Sequence, residues 1–330
     1  MKKFFLLLSI AALVLAGCGN TAAAPTAPAQ PTHLQLPMGY IANVQFAPFY
    51  VAVDKGYFAR EGIAIDFDYR FETDGMKLVG ANQLPFAVVS GEQVPLARSQ
   101  GLPVTYVMQW YQNFPIGVVA ISDKNIKTPA DLIGRSVGLP GFFGASYIGW
   151  RGLLYKANVN EADIKTQDIG FTQVAALQQG KVDAIVGYTN NEPLQLLAAG
   201  LKIDVIQVSD YVSMVANGIV TNDSTIKNNP QLVTGFLRAL VQGLQDVKNN
   251  PDEAFTISTK YVDGLGKDPK NDALQMQVLY ASIKLWTIDG RSNPKSWDTT
   301  QEVLVNMGLL TAKIDPAQLF TNDFLPMAGK

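Results

Sequence analysis

The pattern of apolar and polar positions predicts an alternation of strands and helices along most of the chain. Leu34–Tyr40 reads as a strand, and Ala47–Arg60 (APFYVAVDKGYFAR) has apolar residues at helical spacing, with Gly56 near its end. Ile63–Tyr69 (IAIDFDY) alternates at period two, as a strand does. A short helix at Gly75–Ala81, a strand at Pro85–Val89 and a helix over Glu92–Gln100 follow. Strands are then expected at Val104–Trp110, Gly117–Ser122 and Ser136–Leu139, with a short helix at Pro129–Ile133 capped by Thr128. The helix Gly144–Ala157, the strands Ile164–Phe171 and Val182–Val186 and a helix through Gln179 between them extend the alternation. Glu192–Ala199 reads as helix, Ile203–Val208 as strand, and Val215–Thr221 as a strand returning to the first part of the fold. Four helices follow at Gln231–Lys248, Pro251–Tyr261, Ala273–Trp286 and Lys295–Met307. Strands alternating with helices imply an α/β protein whose sheets contain parallel strands and carry helices on both faces.

The first apolar run breaks this pattern. Phe4–Ala16 is 13 residues long and follows Lys2 and Lys3. A spanning helix needs about 18 or more apolar residues, so the run matches the apolar segment of a secretory signal. Leu15-Ala16-Gly17-Cys18 comes directly after it and resembles a bacterial lipobox. Cleavage before Cys18 would leave 313 residues, lose two lysines and move the net charge from −2 to −4. Residues 1–17 are thus expected to be a signal peptide, and residues 18–33 a tether lipidated at Cys18. Asn20–Thr32 holds only Ala, Pro, Thr, Asn and Gln, which cannot build a core. His33 is expected at the tether's end, with no site role.

Composition narrows the chemistry. The chain has one Cys and one His, 26 Lys+Arg against 28 Asp+Glu, 48% hydrophobic residues and 16% charged ones. The apolar fraction excludes a disordered chain, and the charge balance gives no nucleic-acid footprint. Zinc sites need about four N/S ligands, so neither a metal nor a cofactor is expected. The chain has no Walker-type phosphate loop, no G-x-G-x-x-G and no G-x-S-x-G elbow. No enzymatic activity is expected.

Polar and aromatic clusters instead fall where strands end and helices begin, the usual ligand position in open α/β sheets. Asn43, Gln45 and Phe46 follow the first strand, and Asp74 the second. Ser90 and Glu92 follow the third, and Trp110 and Tyr111 the fourth. Phe142, Phe143 and Ser146 precede the long mid-chain helix; one of the adjacent phenylalanines is expected in the core and the other facing a cleft. Tyr188, Asn190, Asn191 and Glu192 form the last cluster, where Glu192 would accept an N–H or O–H of an uncharged heterocycle. These fifteen residues are the candidate ligand contacts.

Asn43–Gly62 (NVQFAPFYVAVDKGYFAREG) resembles the first helix of a family of periplasmic binding proteins that groups thiamine-pyrimidine-precursor binders with alkanesulfonate, taurine and nitrate binders. Thr128–Gly138 and Gln178–Ala184 are similar to two further segments of that family, and the Asn191-Glu192-Pro193 turn resembles its vitamin-precursor branch. The resemblance spans about residues 36–250. It implies a two-lobed, type II fold, each lobe a mixed, mainly parallel sheet flanked by helices. Lobe one would be 34–112 with 213–330 and lobe two 113–212, joined by crossings near Gln109–Ile116 and Ser209–Gly218. It further implies a monomeric solute-binding subunit of an ABC importer, lipid-anchored on the extracytoplasmic face, with a permease and its ATPase as partners.

The six clusters contain no Arg or Lys, which a sulfonate or nitrate would favour. Aromatic faces and amides suit a neutral, flat, hydrogen-bonding ring, as does the low charged fraction. Within the resembling branch this allows riboflavin or a thiamine aminopyrimidine precursor, and the number of aromatics leans toward riboflavin. Relatives of the family that synthesise the pyrimidine use a cysteine-rich segment and an active-site His, which this chain lacks.

Overall fold

A computed structural model describes residues 31–326 except residue 288. The signal, Cys18 and the tether up to residue 30 lie outside the described residues. Ten strands are β1 (Thr32–Gly39), β2 (Ile63–Phe71), β3 (Ala87–Ser90), β4 (Val104–Gln109), β5 (Ile116–Ile121), β6 (Ser136–Leu139), β7 (Lys165–Asp168), β8 (Ala184–Tyr188), β9 (Ile203–Gln207) and β10 (Asn217–Asn222). The helices are α1 (Ala47–Asp54), α2 (Tyr57–Arg60), α3 (Glu72–Gly80), α4 (Gln93–Ser99), α5 (Gly144–Lys156), α6 (Gln173–Gln178), α7 (Glu192–Ala198), α8 (Asp223–Asn228), α9 (Pro230–Asn249), α10 (Pro251–Ser258), α11 (Pro269–Leu285) and α12 (Pro294–Asn306).

The strands form a β1–β2 pair, a β3–β10–β4 sheet and a five-stranded β7–β6–β8–β5–β9 sheet. Three of the seven pairings are parallel and four antiparallel, so the sheets are mixed rather than mainly parallel. The antiparallel pairings all involve β5 or β10. Each of these strands follows a passage of the chain from one sheet to the other, through Trp110–Pro115 and Val208–Ala216. The first passage is tied to the start of β10: the Trp110 and Tyr111 N–H groups both donate to the Asn217 carbonyl, at 2.9 and 3.0 Å.

Local chemistry explains the element boundaries. Gly56 sits at φ +70°, a left-handed conformation that glycine adopts freely, so the helix expected over 47–60 is broken into α1 and α2. Thr128 and Asp131 form a reciprocal capping box, but the turn they cap, Pro129–Leu132, is a single 3₁₀ turn. Four C-terminal helices share one start signal, an Asn or Asp cap followed by Pro at the first helical position. Asn229, Asn250, Asp268 and Asn293 each accept a backbone N–H from the first turn that follows. Along α9, Val233, Phe236, Leu237, Leu240, Leu244 and Val247 are buried at helical spacing and face the core. The short helix α8 was not legible as an element. His33 lies exposed within β1, 3.8 Å from Asp66, rather than on a tether.

Close packing of β10 on β4 fixes Asn217 at the rim of the site described below. A methyl group added at Gly218 would collide with the Met108 carbonyl oxygen and the Tyr106 hydroxyl. That hydroxyl donates to the Ala216 carbonyl at 3.0 Å. Gly218→Ala is therefore expected to lower folding stability by about 1–3 kcal/mol, measured as a shifted urea midpoint with unchanged slope.

Candidate functional site

A cavity opens between the ends of β1, β2, β4 and β8 and the starts of α3, α5 and α7. Its walls include Tyr40, Gln45, Phe46, Phe71, Glu72, Trp110, Tyr111, Phe143, Ser146, Phe171, Gln173, Tyr188, Asn191, Glu192 and Asn217. Its enclosed volume is about 100 Å³. That is below the ~300–1,000 Å³ typical of small-molecule sites. A multi-ring ligand would therefore have to displace lining side chains or part the two sheets.

Nine of the fifteen residues singled out from sequence line this cavity: Gln45, Phe46, Trp110, Tyr111, Phe143, Ser146, Tyr188, Asn191 and Glu192. The other six do not. Asn43 caps the turn at Val44–Phe46, accepting the Gln45 N–H at 3.0 Å and the Gln45 side-chain amide at 3.2 Å, so it orients Gln45. Asp74 is exposed on α3, 3.9 Å from Lys77. Ser90 and Glu92 are buried behind Glu72. Asn190 is buried beside the first chain passage, donating to Gln45 Oε1 at 2.9 Å and Ser282 Oγ at 2.7 Å. Phe142 is exposed and, among the described residues, meets only the edge of Tyr147 among aromatic rings. Neither Phe142 nor Phe143 is core, at 48% and 45% exposed: Gly144 turns the backbone to φ +66° directly after them, leaving both rings at the surface.

Glu72 is the main residue that sequence reasoning missed. The strand β2 runs two residues beyond its alternating pattern, so α3 starts at Glu72 and takes in the stretch expected to be loop. An acid in the first turn of a helix was the available signal. Phe71, Phe171 and Tyr40 were missed as well. Phe71 meets Phe143 edge-on at 5.6 Å and lies 5.7 Å from Phe171, which meets Tyr40 edge-on at 5.0 Å. These four rings form a lip around the mouth.

The electrostatics are set by carboxylates. Glu72 accepts the Ser90 N–H at 2.8 Å, the Ser90 hydroxyl at 3.0 Å and the Ala145 N–H at 3.2 Å. The Ser90 hydroxyl also contacts Glu92. Burial, then the neighbouring Glu72 charge, push Glu92 up to about 8. Glu72 itself is raised by burial against the lowering pull of its N–H donors. With Glu92 neutral, the Ser90 hydroxyl lies between one charged and one uncharged carboxyl group. Glu192 is held by the Tyr188 N–H at 2.7 Å and the Asn191 amide at 3.1 Å, and burial raises it to about 7. Among the described residues, no Arg, Lys or His lines the cavity. The site can stack a ring on aromatic faces and hydrogen-bond it through amides, hydroxyls and carboxylates.

This architecture is the fold of the periplasmic binding proteins. The aliphatic sulphonate binding protein SsuA of Escherichia coli superposes with a TM-score of 0.70 at 15% identity, covering 87% of this chain and 97% of that one. The chain belongs to the NMT1/THI5-like family, whose pattern matches residues 43–254. It is 42% identical to the riboflavin-binding protein RibY of Chloroflexus aurantiacus over 318 residues, 92% of this chain and 90% of the relative. It is 29% identical to the formylaminopyrimidine-binding protein of Halalkalibacterium halodurans over 262 residues, 78% of each chain. More distant relatives include a 4-amino-5-hydroxymethyl-2-methylpyrimidine phosphate synthase of Legionella pneumophila, at 23% identity over 89% of this chain and 93% of that one.

Proposed function

We propose that the protein is the extracytoplasmic solute-binding component of an ABC importer, that it captures riboflavin in this cavity, and that it is not an enzyme. The observation that carries the reading is a cavity walled by aromatic rings and neutral amides with no cation, in a chain 42% identical to a riboflavin-binding protein. The two chain passages form the hinge between lobe one (34–112 with 213–330) and lobe two (113–212), and opening there admits the ligand. The isoalloxazine ring lies against Phe46, Trp110, Tyr188 or Phe143, and Glu192 accepts a ring N–H. Lipidation at Cys18 holds the monomeric protein at the membrane, where the closed form meets the permease and its ATPase.

A second reading, a thiamine aminopyrimidine precursor, is favoured by the 29% identity to the formylaminopyrimidine-binding protein. A single pyrimidine ring leaves much of this aromatic wall unused. Calorimetric titration of the purified protein with riboflavin and with 4-amino-5-hydroxymethyl-2-methylpyrimidine separates the two. Riboflavin is expected to bind at one equivalent with Kd near or below about 1 μM and the pyrimidine at least about tenfold more weakly. The reverse order would transfer the assignment to the pyrimidine.

A further inference from the structure

We infer that Glu72 sets the charge selectivity of the cavity: its carboxylate fills the place at the start of α5 that an anionic ligand group would take, so the protein accepts an uncharged ring compound and rejects its phosphorylated or sulfonated counterparts. The inference rests on the ring-binding reading above and extends it to a specificity-determining residue.

The start of a helix leaves backbone N–H groups unpaired and carries partial positive charge, which makes it a ready site for phosphate or sulfonate. The helix α5 is 13 residues long, and its first three residues, Gly144, Ala145 and Ser146, line the cavity. Here the anion is already supplied by the protein. Glu72, from the opposite wall, accepts the Ala145 N–H at 3.2 Å while the Ser90 N–H and hydroxyl hold it from behind at 2.8 and 3.0 Å. Gly144 is bare where the carboxylate arrives: a Cβ there would lie 2.7 Å from Glu72 Oε1. The backbone and the side chain thus fit each other.

A ligand phosphate approaching α5 would have to displace this carboxylate or sit beside it. The acidic groups it would meet are Glu72 and Glu192 on the walls, with the neutral Glu92 behind Ser90. Among the described residues, no Arg, Lys or His lines the space to offset them. A neutral ligand presenting N–H or O–H donors finds acceptors instead. The reaction that supplies such a ligand from a phosphorylated pool is therefore of the phosphomonoester-hydrolysis class, and it must act before capture.

The test titrates riboflavin and riboflavin 5′-phosphate onto wild type, E72Q and E72S, and follows the melting temperature of each in sodium sulfate against sodium chloride at equal ionic strength. Wild type is expected to prefer riboflavin by about 10- to 100-fold, the scale of a charge-assisted hydrogen bond lost or opposed. The preference is expected to fall about tenfold or more in E72Q and E72S. E72S, with the helix start vacated, gains a sulfate-specific stabilisation that wild type lacks. E72S keeps the test standing if E72Q does not fold. Equal wild-type affinity for both flavins, or an unchanged ratio in the folded variants, overturns the inference. If wild type binds neither flavin, the riboflavin reading falls, and the sulfate arm alone decides the role of Glu72: a gain in E72S upholds it and no gain overturns it.

Discussion

Replacing Trp110 by alanine is expected to cost about 3–5 kcal/mol of folding stability and to remove riboflavin binding. Trp110 is 2% exposed, yet one part of it forms cavity wall. Its ring packs against Phe46 at 5.8 Å, Phe49 at 5.2 Å, Tyr111 at 4.9 Å and Trp286 at 5.7 Å. Its backbone N–H donates to the Asn217 carbonyl, and its carbonyl accepts the Thr287 N–H at 2.9 Å. One residue at the first chain passage thus joins α1 and the end of α11 through its ring and the start of β10 through its backbone. Deleting it opens a void where the two sheets are connected, and removes a stacking face. Trp110→Phe keeps a ring in place and is expected to cost about 1–2 kcal/mol, with binding weakened but measurable. Urea unfolding followed by circular dichroism gives the stability change. A Trp110→Ala midpoint equal to that of wild type would contradict the packing argument.

Glu92→Gln is expected to make the protein more stable than wild type at pH 9 by about 2–4 kcal/mol, with the difference shrinking toward pH 5 and gone below about pH 4. Glu92 titrates near 8 in the folded protein, raised by burial and by Glu72, against about 4.3 in an unfolded chain. Below about pH 4 the group is protonated in both states and its contribution is fully present. As pH rises from there through 8, the unfolded chain gives up its proton first, so the folded state loses stability until Glu92 ionises too. Glutamine mimics the neutral acid, keeps a donor toward Ser90 Oγ and has no ionised form. Glu192, raised to about 7, contributes a loss of the same sign in both proteins and leaves the difference intact. Thermal melts from pH 5 to 9 supply the check, and parallel curves for the two proteins would contradict the assignment of a neutral Glu92.

The sequence carried the alternation of strands and helices because burial imposes period two or 3.6 on it. The Asn43–Gly62 segment and the Asn191-Glu192-Pro193 turn pointed to the same family that the matched region 43–254 shows. The direction of β5 and β10 was not legible, because a buried run such as Ile116–Ile121 reads the same whichever way its neighbours run. Nor was the break at Gly56, where helical spacing continues on both sides of one left-handed residue. In the site, Trp110, Tyr111 and Glu192 stood out because large aromatics and an acid beside Asn-rich turns are costly to place without partners. Glu72 was hidden by a strand that outruns its alternation, and Asn190 looked like its neighbour Asn191 although only Asn191 faces the cavity. Such a choice between adjacent amides depends on backbone angles that tertiary contacts set.

The most direct test of the central claim is a fluorescence titration of riboflavin with the purified protein. Stacking on the aromatic walls is expected to quench flavin emission in a saturable way, at one site per chain, with half-saturation near or below about 1 μM protein. Unchanged riboflavin fluorescence at tens of micromolar protein would contradict riboflavin capture in this cavity.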